Sequence, residues 1–514
     1  MPSDTTYDVL IIGTGAGGGT LAHRLAPSGK RILLLERGTF LPREKANFDT
    51  RAVFGEERYH TTETWLDRDG RELRPGTGYW VGGNTKVYGA ALLRLREGDF
   101  GEVRHQGGLS PAWPLQYGAY ASYYTEAERL YGVHGSRGLD PTEPPMDSDY
   151  PFAPVSHEPR IQELADSLTA KGLHPFHVPL GIRLNEVDRA LSECMRCDTC
   201  DGFPCMVGAK ADSDVTCVRP ALQRENVHLQ TGARVVQLHT SPSGREVTEV
   251  EVELDGKSRT YRAGTVVVAC GAVNSAALLL RSANDRHPAG LANGSGQVGR
   301  NFMKHVNGAM LAVGTCENPT VFQKTLAVND FYWGEEGFEY PMGHVQLLGK
   351  ASRELLALDA PKLTPGLALA ELARRSVDWW LTAEDLPDPE NRVRLRDGRI
   401  VLQYTENNTA AYDRLVKRWK QVLRSVSCGQ HFVPLGLYLK KKIPLEGVAH
   451  QVGTCRFGTD PRTSVLDPNC RAHEVQNLYV VDGSFFPSSA AVNPSLTIMA
   501  NALRVGDHLL GELQ

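Results

Sequence analysis

Residues 7–36, YDVLIIGTGAGGGTLAHRLAPSGKRILLLE, decide the fold. DVLIIG reads as a buried strand, the glycine turn after it opens an amphipathic helix that runs through Leu25, and RILLLE reads as a second strand ending at Glu36. Gly13, Gly15 and Gly18 thus form G-x-G-x-x-G between a strand and a helix, the setting in which that pattern marks a dinucleotide site. The first glycine permits the tight turn, the second lets backbone N–H groups approach a pyrophosphate, and the third lets helix and strand pack closely. Glu36 is placed to accept hydrogen bonds from a ribose, and its charge disfavours a 2′-phosphate. The motif does not separate FAD from NAD, but the chain beyond it does. An NAD dehydrogenase continues with short strand-helix units, whereas roughly 160 residues of non-repeating sequence intervene here before strands resume.

Those strands are VHLQTGARVVQLHT, VTEVEVELDG and KSRTYRAGTVVVACGA, the last of them buried. The stretch from Pro75 to Leu95 is rich in glycine and aromatics without helical period, as expected of backbone approaching a ligand. The proline-rich, acidic run between Leu139 and His157 reads as an ordered surface connection. Thr320 to Lys440 mixes strands with amphipathic helices such as NNTAAYDRLVKRWKQVLRSV and is assigned to a substrate-facing domain. The chain closes as strand, loop and helix through VQNLYVVDGSFFPSS and NPSLTIMANALRVGDHLLGEL.

A length of 514 residues fits two interleaved domains. With 56 basic and 60 acidic side chains well mixed, the formal net charge of -4 offers no footprint for nucleic acid or an anionic membrane, so a small-molecule partner is favoured. No apolar run approaches the roughly 20 residues that span a bilayer, and the first residues lead directly into a strand, so a cytoplasmic location is expected.

The segment AHQVGTCRFGTDPRTSVLDPNCRAHEVQNLYVVDGSFFPSSAAVNPSLTIMANALRVGDHL resembles the glucose-methanol-choline (GMC) oxidoreductases. The likeness includes the H-x-x-G-T-x-R-x-G run, S-V-x-D, N-L-Y-V-V-D-G-S-x-x-P and N-P-S-L-T. GGNTKVYGAALLRL and VVVACGAVNSAALLL follow the glycine fingerprint in the family's order, so the resemblance covers nearly the whole chain. It is similar in particular to a bacterial branch of sugar and glycoside oxidoreductases that includes aminoglycoside 6'-oxidases.

The resemblance implies an α/β fold, α+β overall. A Rossmann-like FAD-binding domain (1–100, 190–305 and 445–514) interleaves with a discontinuous substrate-binding domain (101–189 and 306–444) built on a mixed or antiparallel sheet plus helices. It implies that Gly13, Gly15, Gly18 and Glu36 hold the adenosine diphosphate part of FAD, with the Val235 backbone against the adenine. Gly83 and Asn84 would lie along the flavin, Asp482 and Gly483 at the ribityl and pyrophosphate region, and Asn493, Pro494 and Ser495 near the pyrimidine edge. Several members attach flavin to a histidine in the second of these segments. Lys86 stands near that place here, so non-covalent FAD is expected.

Oxidising an alcohol removes the hydroxyl proton and a hydride from the same carbon, the latter to flavin N5. His450 suits the proton-accepting role because imidazole titrates near operating pH, and the resemblance puts it at the reactive face. Asn493 before Pro494 and an apolar-periodic run reads as a helix N-cap with proline at the first helical position. Its amide N–H would then be available to the substrate oxygen, and the helix dipole would favour charge on the reduced flavin. His344, Gln346, Glu384 and Asp385 are candidate substrate contacts, with ordinary surface or strand positions as the alternative.

Cys194, Cys197, Cys200 and Cys205 give C-x2-C-x2-C-x4-C. The last gap is longer than in an iron–sulfur ferredoxin run, and separated zinc-ligand pairs are absent, which leaves open a loop shaped by thiols or disulfides and an iron–sulfur centre. The expected activity is FAD-dependent oxidation of a hydroxyl on a sugar-like or aminoglycoside-like substrate, with O2 or another electron acceptor. The alternatives are a dehydrogenase of non-sugar alcohols that passes electrons to a quinone or protein, and a flavin-binding redox protein without alcohol chemistry.

Overall fold

Strand Thr6–Ile12 lies between two parallel neighbours, with Ile12 opposite Val268 on one side and Leu35 on the other. Covered at both edges and both faces, it is apolar from Val9 to Ile12, and Val9, Leu10 and Ile11 are fully buried. It belongs to a seven-stranded sheet that runs in space 227–230, 32–35, 6–12, 257–268, 247–254 and 234–240, with 478–480 also paired to 257–268. The strand Lys257–Val268 serves two ladders: its C-terminal half is parallel to 6–12 and 478–480, and its N-terminal half is antiparallel to 247–254. The computed structural model describes residues 6–426, 430–434 (backbone alone), 445–447 and 450–513. Residues 1–5, the stretches 427–429 and 435–444 of the assigned substrate domain, and Ala449 of the C-terminal motif lie outside the described residues.

Helix Ala16–Leu25 returns across this sheet through the expected turn. Gly13 has φ +100°, and a Cβ there would fall 2.3 Å from the carbonyl oxygen of Ala269, so no other residue fits between the strands. A Cβ on Gly18 would sit 2.1 Å from the Gly13 carbonyl oxygen, which is the close helix–strand packing read from the third glycine.

A second sheet, antiparallel throughout, runs 430–434, 306–314, 376–383, 344–347, 326–328 and 176–177. In its central strand, SVDWWLTA, the alternation sends Val377, Trp379, Leu381 and Ala383 into a core shared with helix Thr409–Ser425. That helix presents Leu415, Trp419, Val422 and Leu423 to the sheet, and Trp419 meets Trp379 edge-on at 4.8 Å. Asp378 and Trp380 occupy the opposite face.

Two sets of contacts cross the assigned domain boundaries. Helix Gly118–Leu130, given to the substrate domain by position, packs on helix Ser495–Glu512, because Tyr120 and Tyr124 bond to Asn501 and Thr497 there. The hairpin 392–403 pairs with strand Trp65–Asp67, so it shares a core with the nucleotide side. Both contacts are long-range, and boundaries drawn along the chain do not register them.

Candidate active site

The C-terminal ends of the parallel strands open into one cavity of about 720 Å³ that continues to the face of the antiparallel sheet that carries Asp378 and Trp380. Ligands of open α/β sheets bind at such strand ends. Gly13, Gly15, Glu36, Gly83, Asn84, Val235, His450, Asp482, Gly483, Asn493, Pro494 and Ser495 all line it, whereas Gly18 stands behind it against the strand.

At the nucleotide end the glycines form a cradle. The only neighbour within 4 Å of a Cβ built on Gly15 is the Cα of Gly83, at 4.0 Å, so the space before the second glycine is open. Glu36 lines this end, but its carboxylate also fixes the turn. Oε2 accepts from the Thr14 amide (3.1 Å) and hydroxyl (2.6 Å), and Oε1 accepts from the Gly38 amide (2.9 Å). Burial raises its pKa against these bonds. The ladder of strand 234–240 slips between Val235 and Gln237, so Val236 is extra and the backbone beside Val235 is not all committed to the sheet. Asp482 is tied within the chain: it accepts from the amides of Gly271 and Ser484 (2.9 Å each) and from the hydroxyls of Ser275 and Ser484. It therefore anchors the start of helix Ala272–Arg281, and its carboxylate has little left for a ligand.

Lys86, near which the resemblance implies a flavin-bearing histidine in several members, does not line the cavity. Its Nζ sits between Asp212 (2.9 Å) and Asp214 (3.0 Å), all three buried. A lysine in two buried ion pairs is held away from the cavity by charge.

The helix at the far end begins at Ser495, with Pro494 as its cap residue and no side-chain cap bond. The expected Asn493 cap is thus corrected by one residue. Pro494 at φ -80° and ψ -13° is already near helical, and its carbonyl receives the Ile498 amide. The consequence favours chemistry, because the Asn493 amide group carries no hydrogen bond among the described residues and faces the cavity.

His450 lines the same cavity, its ring 6.5 Å from that of Trp380. Its Nδ1 is 3.0 Å from Nδ1 of His305, whose Nε2 is 3.0 Å from the Ser489 carbonyl oxygen. A carbonyl only accepts, so His305 carries its proton on Nε2 and presents a lone pair at Nδ1. His450 must then donate from its own Nδ1, which leaves Nε2 as the free base. Burial pulls His305 down to about 4 and His450 to about 3, the His450 shift reinforced by the His305 ring, so both are neutral near neutral pH.

Sequence reasoning missed His305. The polar groups it did single out behave differently. Glu384 is turned away from substrate and accepts from the Ala490 amide (3.2 Å) and the Ser110 hydroxyl (2.6 Å), with His105 at 3.0 Å. Asp385 shares two bonds with the Ser489 hydroxyl through its backbone. Both acids therefore hold the loop that leads to Asn493. His344 lies behind Gln346, and Gln346 alone of the four reaches the cavity.

Cys194, Cys197, Cys200 and Cys205 are free thiols, so the disulfide alternative is corrected for this cluster. Among the described residues no three histidine, cysteine or acidic side chains gather to hold a metal ion, and the iron–sulfur reading finds no support in the geometry. Lys210, buried, instead binds the carbonyls of Cys200 and Phe203 at 2.8 Å and shapes the loop.

A glycine cradle at the strand ends, a cavity that runs from it to the antiparallel sheet, and a neutral histidine lining that cavity together with an uncommitted amide are the features of a dinucleotide-dependent oxidoreductase. Family models for the GMC oxidoreductases match residues 7–307 and 387–502, and the chain belongs to that family. It is accordingly an FAD-dependent enzyme acting on CH–OH groups. It is 31% identical to paromamine 6'-oxidase of Streptomyces fradiae over 99% of this chain and 92% of the relative. It is 32% identical to 6'''-hydroxyparomomycin C oxidase of Streptomyces lividus, with the same coverage. Among solved structures it is similar to pyridoxine 4-oxidase from Mesorbium loti, at TM-score 0.67 and 18% identity over 98% of this chain and 99% of that one. No helix among the described residues is long and apolar enough to cross a membrane.

Proposed function

We propose that this enzyme oxidises a hydroxyl group of a sugar-like, amine-bearing glycoside to a carbonyl, with His450 as the base and Asn493 as the group that fixes the substrate oxygen. The observation that carries the reading is the chain from His450 through His305 to the Ser489 carbonyl, which leaves His450 Nε2 free on the cavity that the unpaired Asn493 amide also lines. Gly13, Gly15, Gly18 and Glu36 would hold the adenosine diphosphate of FAD beside Val235. Gly83 and Asn84 would lie along its flavin, Asp482 and Gly483 at its ribityl and pyrophosphate region, and Asn493, Pro494 and Ser495 at its pyrimidine edge. FAD, when bound non-covalently there, supplies the acceptor for the substrate hydride.

The residues divide the remaining work. Asn493 donates to the hydroxyl oxygen and orients its proton towards His450 Nε2, which takes it. The new imidazolium keeps its Nδ1–H on His305, so its orientation does not change as it charges. Helix Ser495–Glu512 presents its positive end to this region and favours negative charge in front of it. The substrate class is supported by the names of the two relatives above, and both being oxidases supports O2 as the electron acceptor.

Anaerobic mixing of the purified holoenzyme with a panel of simple alcohols, neutral sugars and amine-bearing glycosides tests this. Bleaching of the flavin by members of the last group is the expected result. Oxidised flavin throughout the panel refutes the reading.

A further inference from the structure

The face of the antiparallel sheet that looks into the cavity carries polar groups that the reaction itself does not use. Asn307 and Thr382 form one cross-strand row, Ala309, Trp380 and Gln346 the next, and Asp378 lies in the third. Asn307, two residues beyond His305, marks the end nearer His450. Asp378 marks the far end, so the wall spans about 13 Å, four residues of extended chain. That is the reach of two linked rings and exceeds that of a single small alcohol.

What these groups offer is unusually uniform. Asp378 is 1% exposed; its Oδ2 accepts from Gln323 Nε2 at 2.7 Å and from the Ala351 amide at 3.3 Å, while Oδ1 has no partner. Asn307 is 4% exposed, and its Oδ1 is likewise buried without a partner. Buried polar atoms are almost always satisfied, so two unpaired acceptors on one cavity wall call for a ligand. Lys350, whose charge acts on Asp378, gives its Nζ to the Asn318 carbonyl, and among the described residues no salt bridge joins the two.

Gln346 adds a third acceptor, by the same tautomer logic as at His450. Asn329 Nδ2 donates to the Asp140 carboxylate at 2.7 Å, so Asn329 Oδ1 faces His344 Nδ1 and receives its proton at 2.7 Å. His344 is fully buried, and burial holds it neutral at about 4. Its Nε2 is then a lone pair, and the atom that stands 3.0 Å from it is Gln346 Oε1, also an acceptor, so the Gln346 amide is read in the flipped orientation. The Gln346 amide must turn its NH2 towards His344, which leaves its carbonyl oxygen for the cavity.

We infer that Asn307, Gln346 and Asp378 form a donor-reading subsite that selects substrates carrying an ammonium group, placed on Asp378, at a distance from the hydroxyl held at His450 and Asn493. The inference rests on the proposed hydroxyl oxidation. It adds which residues distinguish an amine-bearing glycoside from a neutral one.

The test compares two probes, paromamine and its fully N-acetylated form, by anaerobic flavin reduction in holoenzyme of wild type, Asp378→Asn and Gln346→Leu. In the wild type the charged probe should reduce flavin with an apparent second-order rate at least tenfold above the acetylated one. Asp378→Asn, which keeps an oxygen for Gln323 and Ala351, should collapse that ratio at least tenfold, and Gln346→Leu should lower the rate with the charged probe at least fivefold. If Asp378→Asn yields no holoenzyme, the Gln346→Leu result decides. A ratio that persists in Asp378→Asn, a fall shared equally by both probes, or an unchanged Gln346→Leu rate overturns the inference. If wild type is bleached by neutral sugars and not by paromamine, the subsite assignment fails while hydroxyl oxidation stands. If nothing bleaches it, both fail.

Discussion

Replacing His305 tests the tautomer argument without touching the base. In His305→Leu the Nδ1–H of His450 loses its acceptor inside a buried site, and the ring is free to carry its proton on Nε2, where it cannot act as a base. One buried donor left unpaired costs about 1–3 kcal/mol, and at about 1.36 kcal/mol per factor of ten that is about a 5- to 150-fold slower flavin reduction. The companion variant is His305→Asn. The backbone at 305 has φ +64°, a region asparagine tolerates, and the asparagine Oδ1 falls near the position of the histidine Nδ1. It keeps an acceptor for His450 and gives up only the bond to Ser489. Anaerobic stopped-flow reduction at saturating substrate is the assay, with flavin content measured alongside. The expected order is wild type, then His305→Asn within a few-fold, then His305→Leu well below. Equal rates in all three, or equal losses in both variants, would refute the reasoning.

Three further outcomes are expected. Because burial holds His450 at about 3, its neutral, competent form dominates above that value and is lost only as pH falls through it. kcat at saturating substrate should therefore show no acid limb between about pH 5 and 7, and an inflection of kcat near 6.5 would contradict the site as described, whereas kcat/KM for an ammonium-bearing substrate should fall as pH drops through about 6, where burial has raised Asp378. Acid precipitation of the holoenzyme should release all flavin to the supernatant, since Lys86 is engaged by Asp212 and Asp214; Lys86→Met leaves Asp212 without a cation, while Asp214 keeps Arg219, and should cost about 3 kcal/mol in denaturant unfolding. Glu384→Ala strands the Ala490 amide, the Ser110 hydroxyl and His105. It should lower stability by about 3 kcal/mol and slow flavin reduction, whereas an unchanged Tm would remove Glu384 from the loop that carries Asn493.

The parts of this site that the sequence discloses are those whose cause is local. The turn at Gly13 and Gly18 is fixed by contacts within one strand-turn-helix unit, and its spacing declares it. His450 and Asn493 stand in motifs of their own. The cap at Asn493 was misplaced by one residue because proline suits both a cap and a first helical position, and only the backbone at Pro494 distinguishes them. His305 was invisible for a different reason: its partner is 145 residues away, and no spacing rule links them. Glu384 and Asp385 looked like substrate contacts because they are acids in the substrate-facing region, but their carboxylates are taken by distant parts of the chain, Glu384 by Ser110, His105 and the Ala490 amide and Asp385 by the Lys304 amide and the Tyr404 hydroxyl. Asp378 did leave a signal. A charge between Val377 and Trp379 in an apolar strand has to point somewhere prepared for it, and strand alternation puts it on the face shared with Trp380.

The central claim is that His450 takes the substrate proton during FAD-dependent oxidation of a hydroxyl group. The most direct measurement is the rate of anaerobic flavin reduction by an oxidisable glycoside in His450→Ala relative to wild type, in preparations with equal bound FAD. Loss of a positioned general base predicts a fall of about 10²- to 10⁴-fold with flavin content retained. Reduction at the wild-type rate in the variant would contradict the account.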